Sequence, residues 1–224
     1  MIEPYYQDNM VTIYHGDCAE IVPRIEWDVF IADPPYGVNL GNHGSANEKR
    51  GYLAKGEYDE YEDTYDNFVS SVVPIVSSLV ETGKRGIVWC AGTMAWDLPR
   101  PSVLSGVYLP AGSGRNRWGF QNLAHALIYG RNPVLHLGAK HTAISSTEAA
   151  QKGVDHPCPK PLGWMKWNVD LCSQQDETVL DPFMGSGTTL VAARELGRRS
   201  IGIDISEKYC EIAARRVSQM SLFE

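Results

Sequence analysis

An aspartate followed by two prolines, a tyrosine and a glycine, Asp33-Pro34-Pro35-Tyr36-Gly37, closes the apolar run 28–32. If that run is a parallel strand, the carboxylate lands at its carboxyl end, where open α/β sheets bind ligands. Each proline fixes φ and removes a backbone N–H. The rim is then rich in acceptors: the Asp33 carboxylate and the Pro34 carbonyl, with few donors nearby to compete. A group with two N–H bonds, such as the exocyclic amine of a nucleobase, suits such a rim. Its lone pair is delocalised into the ring. Two acceptors gripping its hydrogens would turn the nitrogen towards tetrahedral geometry and stabilise positive charge growing on it. Tyr36 offers a face for stacking the base, worth about 1–3 kcal/mol.

A second string, Thr178-Val-Leu-Asp181-Pro182-Phe183-Met-Gly185-Ser-Gly187-Thr188-Thr189, has the form of a strand, a glycine turn and a helix start. It lacks the lysine of a phosphate loop and the third glycine of the dinucleotide fingerprint, and Asp181 would repel a pyrophosphate. A carboxylate here suits a cationic group, while a helix N-terminus favours a carboxylate on the ligand. The next apolar run ends at Asp204, at a spacing from the glycines that suits ribose hydroxyls. An ammonium, a carboxylate and a ribose together describe S-adenosylmethionine.

The elements that must position these residues alternate between short apolar runs and helical patterns. Strands are expected at 10–14, 28–32, 86–90, 124–129, 178–180 and 200–203, and helices at 65–79, 188–196 and 206–220, the last with Ser206 as N-cap. That order predicts one doubly wound α/β domain with a mostly parallel sheet. Two stretches break the alternation. Residues 38–66 hold an acidic run, Glu57, Asp59, Glu60, Glu62, Asp63 and Asp66, interleaved with tyrosines, and disorder in the free protein is expected there. Residues 133–153 are polar and basic.

The 224 residues carry a net charge of −7, unevenly spread: between 113 and 167 there are seven basic and two acidic side chains. Local field steers a ligand, so a nucleic-acid partner is compatible with the acidic total. Five cysteines without a Cys-x-x-Cys pair argue against a disulfide framework or zinc knuckle. His43, His125, His136 and His141 do not form a metal set, and no metal is expected. No apolar stretch is long enough to span a bilayer and no secretory signal opens the chain, so the cytoplasm is the expected compartment.

The pairing of Asp33-Pro-Pro-Tyr with a later Asp181-Pro-Phe-Met-Gly-Ser-Gly-Thr-Thr resembles the amino-methyltransferases of nucleic acids, which methylate adenine N6 or cytosine N4 with S-adenosylmethionine. The catalytic string precedes the cofactor string, as in the permuted beta group, so a Rossmann-like methyltransferase domain with circularly permuted motif order is implied. His156-Pro-Cys-Pro-Lys160-Pro161 resembles the segment leading into the glycine loop, and His15-Gly-Asp17-Cys the element whose acid reaches the cofactor's adenine. The resemblance covers 10–37 and 156–215. It divides the chain 1–224 into a catalytic half 1–132, a short basic recognition-like segment 133–155 and a cofactor half 156–224.

The resemblance implies that Asp33 and the Pro34 carbonyl hold the target amine, with Pro35 completing the rim and Tyr36 stacking on a base flipped out of the duplex. Asp181 and Pro182 lie at the ammonium, Phe183 lines the methionine side, and Gly185, Gly187 and Thr188 form the loop. Asp204 takes the ribose, Asp17 the adenine, and Lys160 with Pro161 closes the pocket. Asp33 favours adenine in DNA over the cytosine-N4 alternative; an RNA adenine enzyme and a non-catalytic nucleic-acid-binding relative are the other readings. The short middle segment implies relaxed or very short sequence recognition, with Arg115, Arg117, Arg131 and Lys140 on phosphates, Trp118 and Phe120 stacking or wedging, and a homodimer helping to clamp DNA. Restriction-modification, or a phage or mobile element, is the implied setting.

Overall fold

A computed structural model describes residues 2–38, 61–113, 115–116, 118–131, 138–149 and 159–220. Residues 39–60 of the acidic segment, Arg117 and the His156-Pro-Cys string lie outside the described residues; the end of that segment, where disorder is expected, is ordered instead, with Asp63 buried and Thr64 capping the helix that starts at Tyr65. Strands β1 (Tyr6–Gln7), β2 (Val11–His15), β3 (Val29–Ala32), β4 (Arg85–Cys90), β5 (Val103–Tyr108), β8 (Leu123–Tyr129), β9 (Ala143–Ser145), β10 (Thr178–Asp181) and β11 (Arg199–Asp204) form one sheet. Its order is β1-β2-β11-β10-β3-β4-β8-β5-β9, and β6 (Arg115–Asn116) with β7 (Gly119–Phe120) makes a separate hairpin. The middle strands β2, β11, β10, β3 and β4 are parallel, whereas β1 and β8 join them antiparallel. Strand order reverses beside β10 and β3, the switch point at which such sheets open a crevice.

Period-2 alternation places the two faces. Phe30, Ala32, Val88 and Cys90 point to one side, against α1 (Cys18–Ile21) and the helical run α2 (Tyr65–Asn67), a π turn (Phe68–Val72) and α3 (Val73–Glu81). Val29, Ile31, Ile87 and Trp89 point to the other side, against α4 (Leu162–Cys172) and α5 (Thr188–Glu195). The helix α6 (Glu207–Met220) packs on α5 and β2 through Cys210, Ala213 and Val217. The π turn has a local cause: Pro74 has no N–H to give, and the Val73 N–H reaches five residues back to Phe68 O.

The expected strands and helices are all present, with ends shifted by a residue or two. The expectations omitted β1, β5, β9, α1, α4 and the β6–β7 hairpin. Ser206 sits where expected before α6 and its carbonyl accepts from Cys210 N, but its hydroxyl has no partner among the described residues. Cys18, Cys90, Cys172 and Cys210 are free and buried. Among the described residues no helix is long and apolar enough to cross a membrane, and no three His, Cys, Asp or Glu side chains group as metal ligands.

Candidate active site

Because β2, β11, β10 and β3 are parallel neighbours, their carboxyl ends set Asp17, Asp204, Asp181 and Asp33 along one edge in that order. Strands lie about 4.8 Å apart, so this row is on the order of 14 Å long. A cavity of about 250 Å³ runs along it and is lined by Asp17, Asp33, Pro35, Lys160, Asp181–Gly185, Thr188 and Asp204. Sequence positions as far apart as 17 and 204 meet in one crevice.

The glycine turn is held by the acids around it. Asp204 accepts from Gly185 N at 2.9 Å and from Ser206 N at 2.9 Å, and Asp181 accepts from Phe183 N at 3.1 Å. Gly185 and Gly187 have φ of +49° and +76°, in the left-handed region that favours glycine. A Cβ on Gly187 would stand 2.8 Å from Ala213 Cβ, so close packing of the loop on α6 demands this glycine before any ligand does. Asp181 is buried, and its carboxyl is pushed up to about 7. Burial is the main cause, opposed by bonds from Thr189 and the Phe183 amide and reinforced by the charges of Asp33 and Asp204.

At the other end of the row, Asp33 is engaged. Lys160 Nζ lies 2.6 Å from both carboxylate oxygens, and Tyr36 Oη donates to Oδ1 at 2.7 Å. The same ammonium stands 5.0 Å from the centre of the Tyr36 ring and 5.7 Å from that of Trp89, which stacks on Trp164 beneath. Neither Pro34 nor Tyr36 lines the cavity itself; the Tyr36 ring packs on the α4 side of the sheet, under Lys160, and is tied to the crevice through its bond to Asp33. Gly37, with φ +67°, gives its N–H to buried Asp63 at 2.6 Å, so the far end of the acidic segment clamps the end of the Asp33-Pro-Pro-Tyr-Gly string.

The basic residues divide. The β6–β7 hairpin extends the β5–β8 ladder past Tyr108 and Leu123, at the crevice edge, and places Arg115, an almost fully exposed Trp118 and an exposed Phe120 there. The structure does not bring Arg131 and Lys140 to that edge. Arg131 follows the end of β8, beside Arg85 at the start of β4, and Lys140 pairs with Asp170 at 2.7 Å near the end of α4. Both lie at the amino edge because β8 runs antiparallel and α4 leads away from the crevice, which a linear count of charge does not reveal.

A family model described as DNA methylase, for the N6 and N4 type, matches residues 83–215, more than half of the chain. The chain belongs to this DNA methylase family. The chain is 25% identical to the type II methyltransferase M2.DpnII of Streptococcus pneumoniae, over 97% of this chain and 93% of that protein. Its fold is similar to that of the M1.HpyAVI–SAM complex, with a TM-score of 0.62 and 21% identity over 92% of this chain and 100% of that one. It is also similar to that of PvuII DNA methyltransferase, described as cytosine-N4-specific, with a TM-score of 0.66 and 15% identity over 96% and 89% of the two chains. The methylase is thus an S-adenosylmethionine-dependent DNA amino-methyltransferase with a Rossmann-like fold.

Sequence reasoning about the methylase missed several residues that shape the crevice. Tyr61, Ser71, Val72 and Ile75 line it from the α2–α3 side, and Ser186, Ser206 and Tyr209 from the glycine-loop side. Arg216, on α6, donates to Ser186 O, Ser186 Oγ and Thr188 Oγ1 and so braces the loop from behind. An arginine on the inward face of an otherwise apolar helical stripe was the one available signal for that brace.

Proposed function

We propose that this methylase transfers a methyl group to N6 of adenine in DNA, at short or relaxed sites, after the base has been flipped into the crevice. The observation that carries the reading is Asp33 at the switch point, its carboxylate gripping a tetrahedral, cationic nitrogen at 2.6 Å on both oxygens. An amine being methylated becomes tetrahedral and cationic, so the same acceptors that hold an ammonium stabilise that transition state. The Pro34 carbonyl is the second acceptor of this proposal, and Tyr36 the stacking face. A base inside a duplex cannot reach the edge of the sheet, and its extrusion costs a few kcal/mol.

The residues present fit S-adenosylmethionine. The charges of Asp33 and Asp204 add to burial in holding the Asp181 carboxyl up to about 7, as expected of a buried acid waiting for a positive charge. The buried Ser206 hydroxyl, without a partner among the described residues, lines the same cavity. In the proposed arrangement Asp181 takes the ammonium, Asp204 the ribose and Asp17 the adenine; Phe183 packs on the methionine chain, with Pro182, Gly185, Gly187 and Thr188 shaping the loop. When bound, the cofactor supplies an activated methyl group on a sulfonium. The protein's part is to hold the amine, exclude water and accept developing charge on Asp33.

DNA is held, in this proposal, by the β6–β7 hairpin beside the target end of the crevice, with Arg115 on phosphate and Trp118 and Phe120 against bases. A second subunit completing the grip belongs to the same proposal, because Arg131 and Lys140 face the other edge. The division into halves 1–132 and 156–224 is supported by the row of acids, of which Asp17 and Asp33 come from the first half and Asp181 and Asp204 from the second. Labelled S-adenosylmethionine incubated with DNA or RNA, followed by mass spectrometry of the nucleosides, tests the reading: N6-methyl-2′-deoxyadenosine from the DNA is expected. Methylcytosine, or label in RNA alone, would replace the base or polymer assigned here.

A further inference from the structure

We propose that Lys160 is a resident surrogate for the target amine, occupying the Asp33 site until a flipped base displaces it. The inference rests on the amine-methylation reading and assigns this side chain a role at the target end of the crevice. Its Nζ meets both oxygens of Asp33 at 2.6 Å, and it stands 5.0 Å above the Tyr36 ring and 5.7 Å from the Trp89 ring. A carboxylate on one side and aromatic faces on the others make a cage for a cationic nitrogen. The ammonium has the shape and charge of the methylated amine before it loses its proton. It also covers the ring on which the base is expected to stack. The base and Lys160 therefore cannot occupy this place together.

Both partners are largely buried, with side chains 11% and 19% exposed, so screening by water is weak and removal of either one leaves an uncompensated charge. Pro159 and Pro161 flank Lys160 and stiffen the backbone, so displacement falls to the flexible lysine stem, which can swing towards solvent or the cofactor. Two consequences follow. The pocket is kept assembled and dry between turnovers. Entry carries a cost that only a base presenting N–H donors to Asp33 can recover. A protonated lysine has no lone pair, so it can wait beside the methyl donor without being alkylated.

The test compares binding of 9-methyladenine, with 1-methylcytosine in parallel, to the full-length wild type, Lys160→Met and Lys160→Arg, each loaded with S-adenosylhomocysteine and followed by calorimetry. Lys160→Met should bind one of the two bases at least tenfold more tightly than wild type. Lys160→Arg, which keeps the charge, should show no gain, and adding Asp33→Asn to Lys160→Met should abolish the gain. Lys160→Gln replaces Lys160→Met if the latter does not fold. Equal or weaker base binding by the uncharged variants overturns the surrogate role. Methyl transfer to DNA by the wild type is measured alongside: transfer without a gain in Lys160→Met overturns this inference alone, whereas no transfer and no gain overturn the amine-methylation reading as well.

Discussion

Asp33 and Asp181 are adjacent acids with different tasks, and their environments separate them. Asp33 has a cation, so Asp33→Asn should lower turnover by about 10²–10³-fold, the usual loss when one electrostatic stabiliser is removed. Affinity for S-adenosylmethionine, measured by calorimetry, should stay within a few-fold; restored turnover with a neutral side chain would remove Asp33 from the chemistry. Asp181 is buried, with its carboxyl pushed up to about 7. An unfolded chain releases that proton near pH 3.9, so the group's contribution to stability is complete below about pH 4 and is lost as pH rises through about 7. An ammonium pairing with the ionised form reverses this preference. The thermal shift caused by S-adenosylmethionine should therefore grow between about pH 5.5 and pH 7, and Asp181→Asn should flatten the trend. Equal shifts at both pH values in the wild type would show that Asp181 does not meet the cation.

At the scale of elements, the loops that carry the site are fixed from outside it. Gly187 is required by a φ of +76° and by Ala213 at 2.8 Å, so Gly187→Ala should cost on the order of 1–3 kcal/mol in urea unfolding and weaken cofactor binding. Asp63 holds the amides of Gly37 and Val38 at 2.6 and 3.3 Å. Asp63→Ala leaves those donors unpaired, a loss of about 1–3 kcal/mol, and should lower kcat more than it raises the KM for S-adenosylmethionine. The five parallel strands and the two acid motifs were legible because local chemistry marks them: apolar runs, two of them ending in Asp-Pro, and glycines before a helix. The α4 helix was not. Trp164, Met165, Asn168, Val169, Leu171 and Cys172 are all buried, leaving little polar stripe to read. Nor was the Lys160–Asp33 pair, whose partners lie 127 positions apart and meet only after β3 and the start of α4 are packed.

At the scale of the molecule, one edge of the sheet collects the chemistry, and the hairpin beside it carries the exposed aromatics. Trp118 is 98% exposed, so Trp118→Ala should leave the melting temperature unchanged. Loss of a stacking contact of about 1–3 kcal/mol should weaken DNA binding by roughly five- to 150-fold in fluorescence anisotropy. Unaltered affinity would move the DNA off this hairpin. The opposite edge, with Arg131 and Lys140, shows why a basic stretch in the chain is not a basic face: antiparallel β8 carries Arg131 away, and Lys140, ahead of β9, is paired with Asp170 near the far end of α4. The pairing of β2 with β11 has an evolutionary consequence. β2, from the earlier half of the chain, and β11, from the later half, are hydrogen-bonded neighbours, from Val11 beside Ser200 to His15 beside Asp204. Exchanging the order of the two halves in a gene would leave this pairing unchanged, so the row of acids depends on which strands meet and not on which is encoded first.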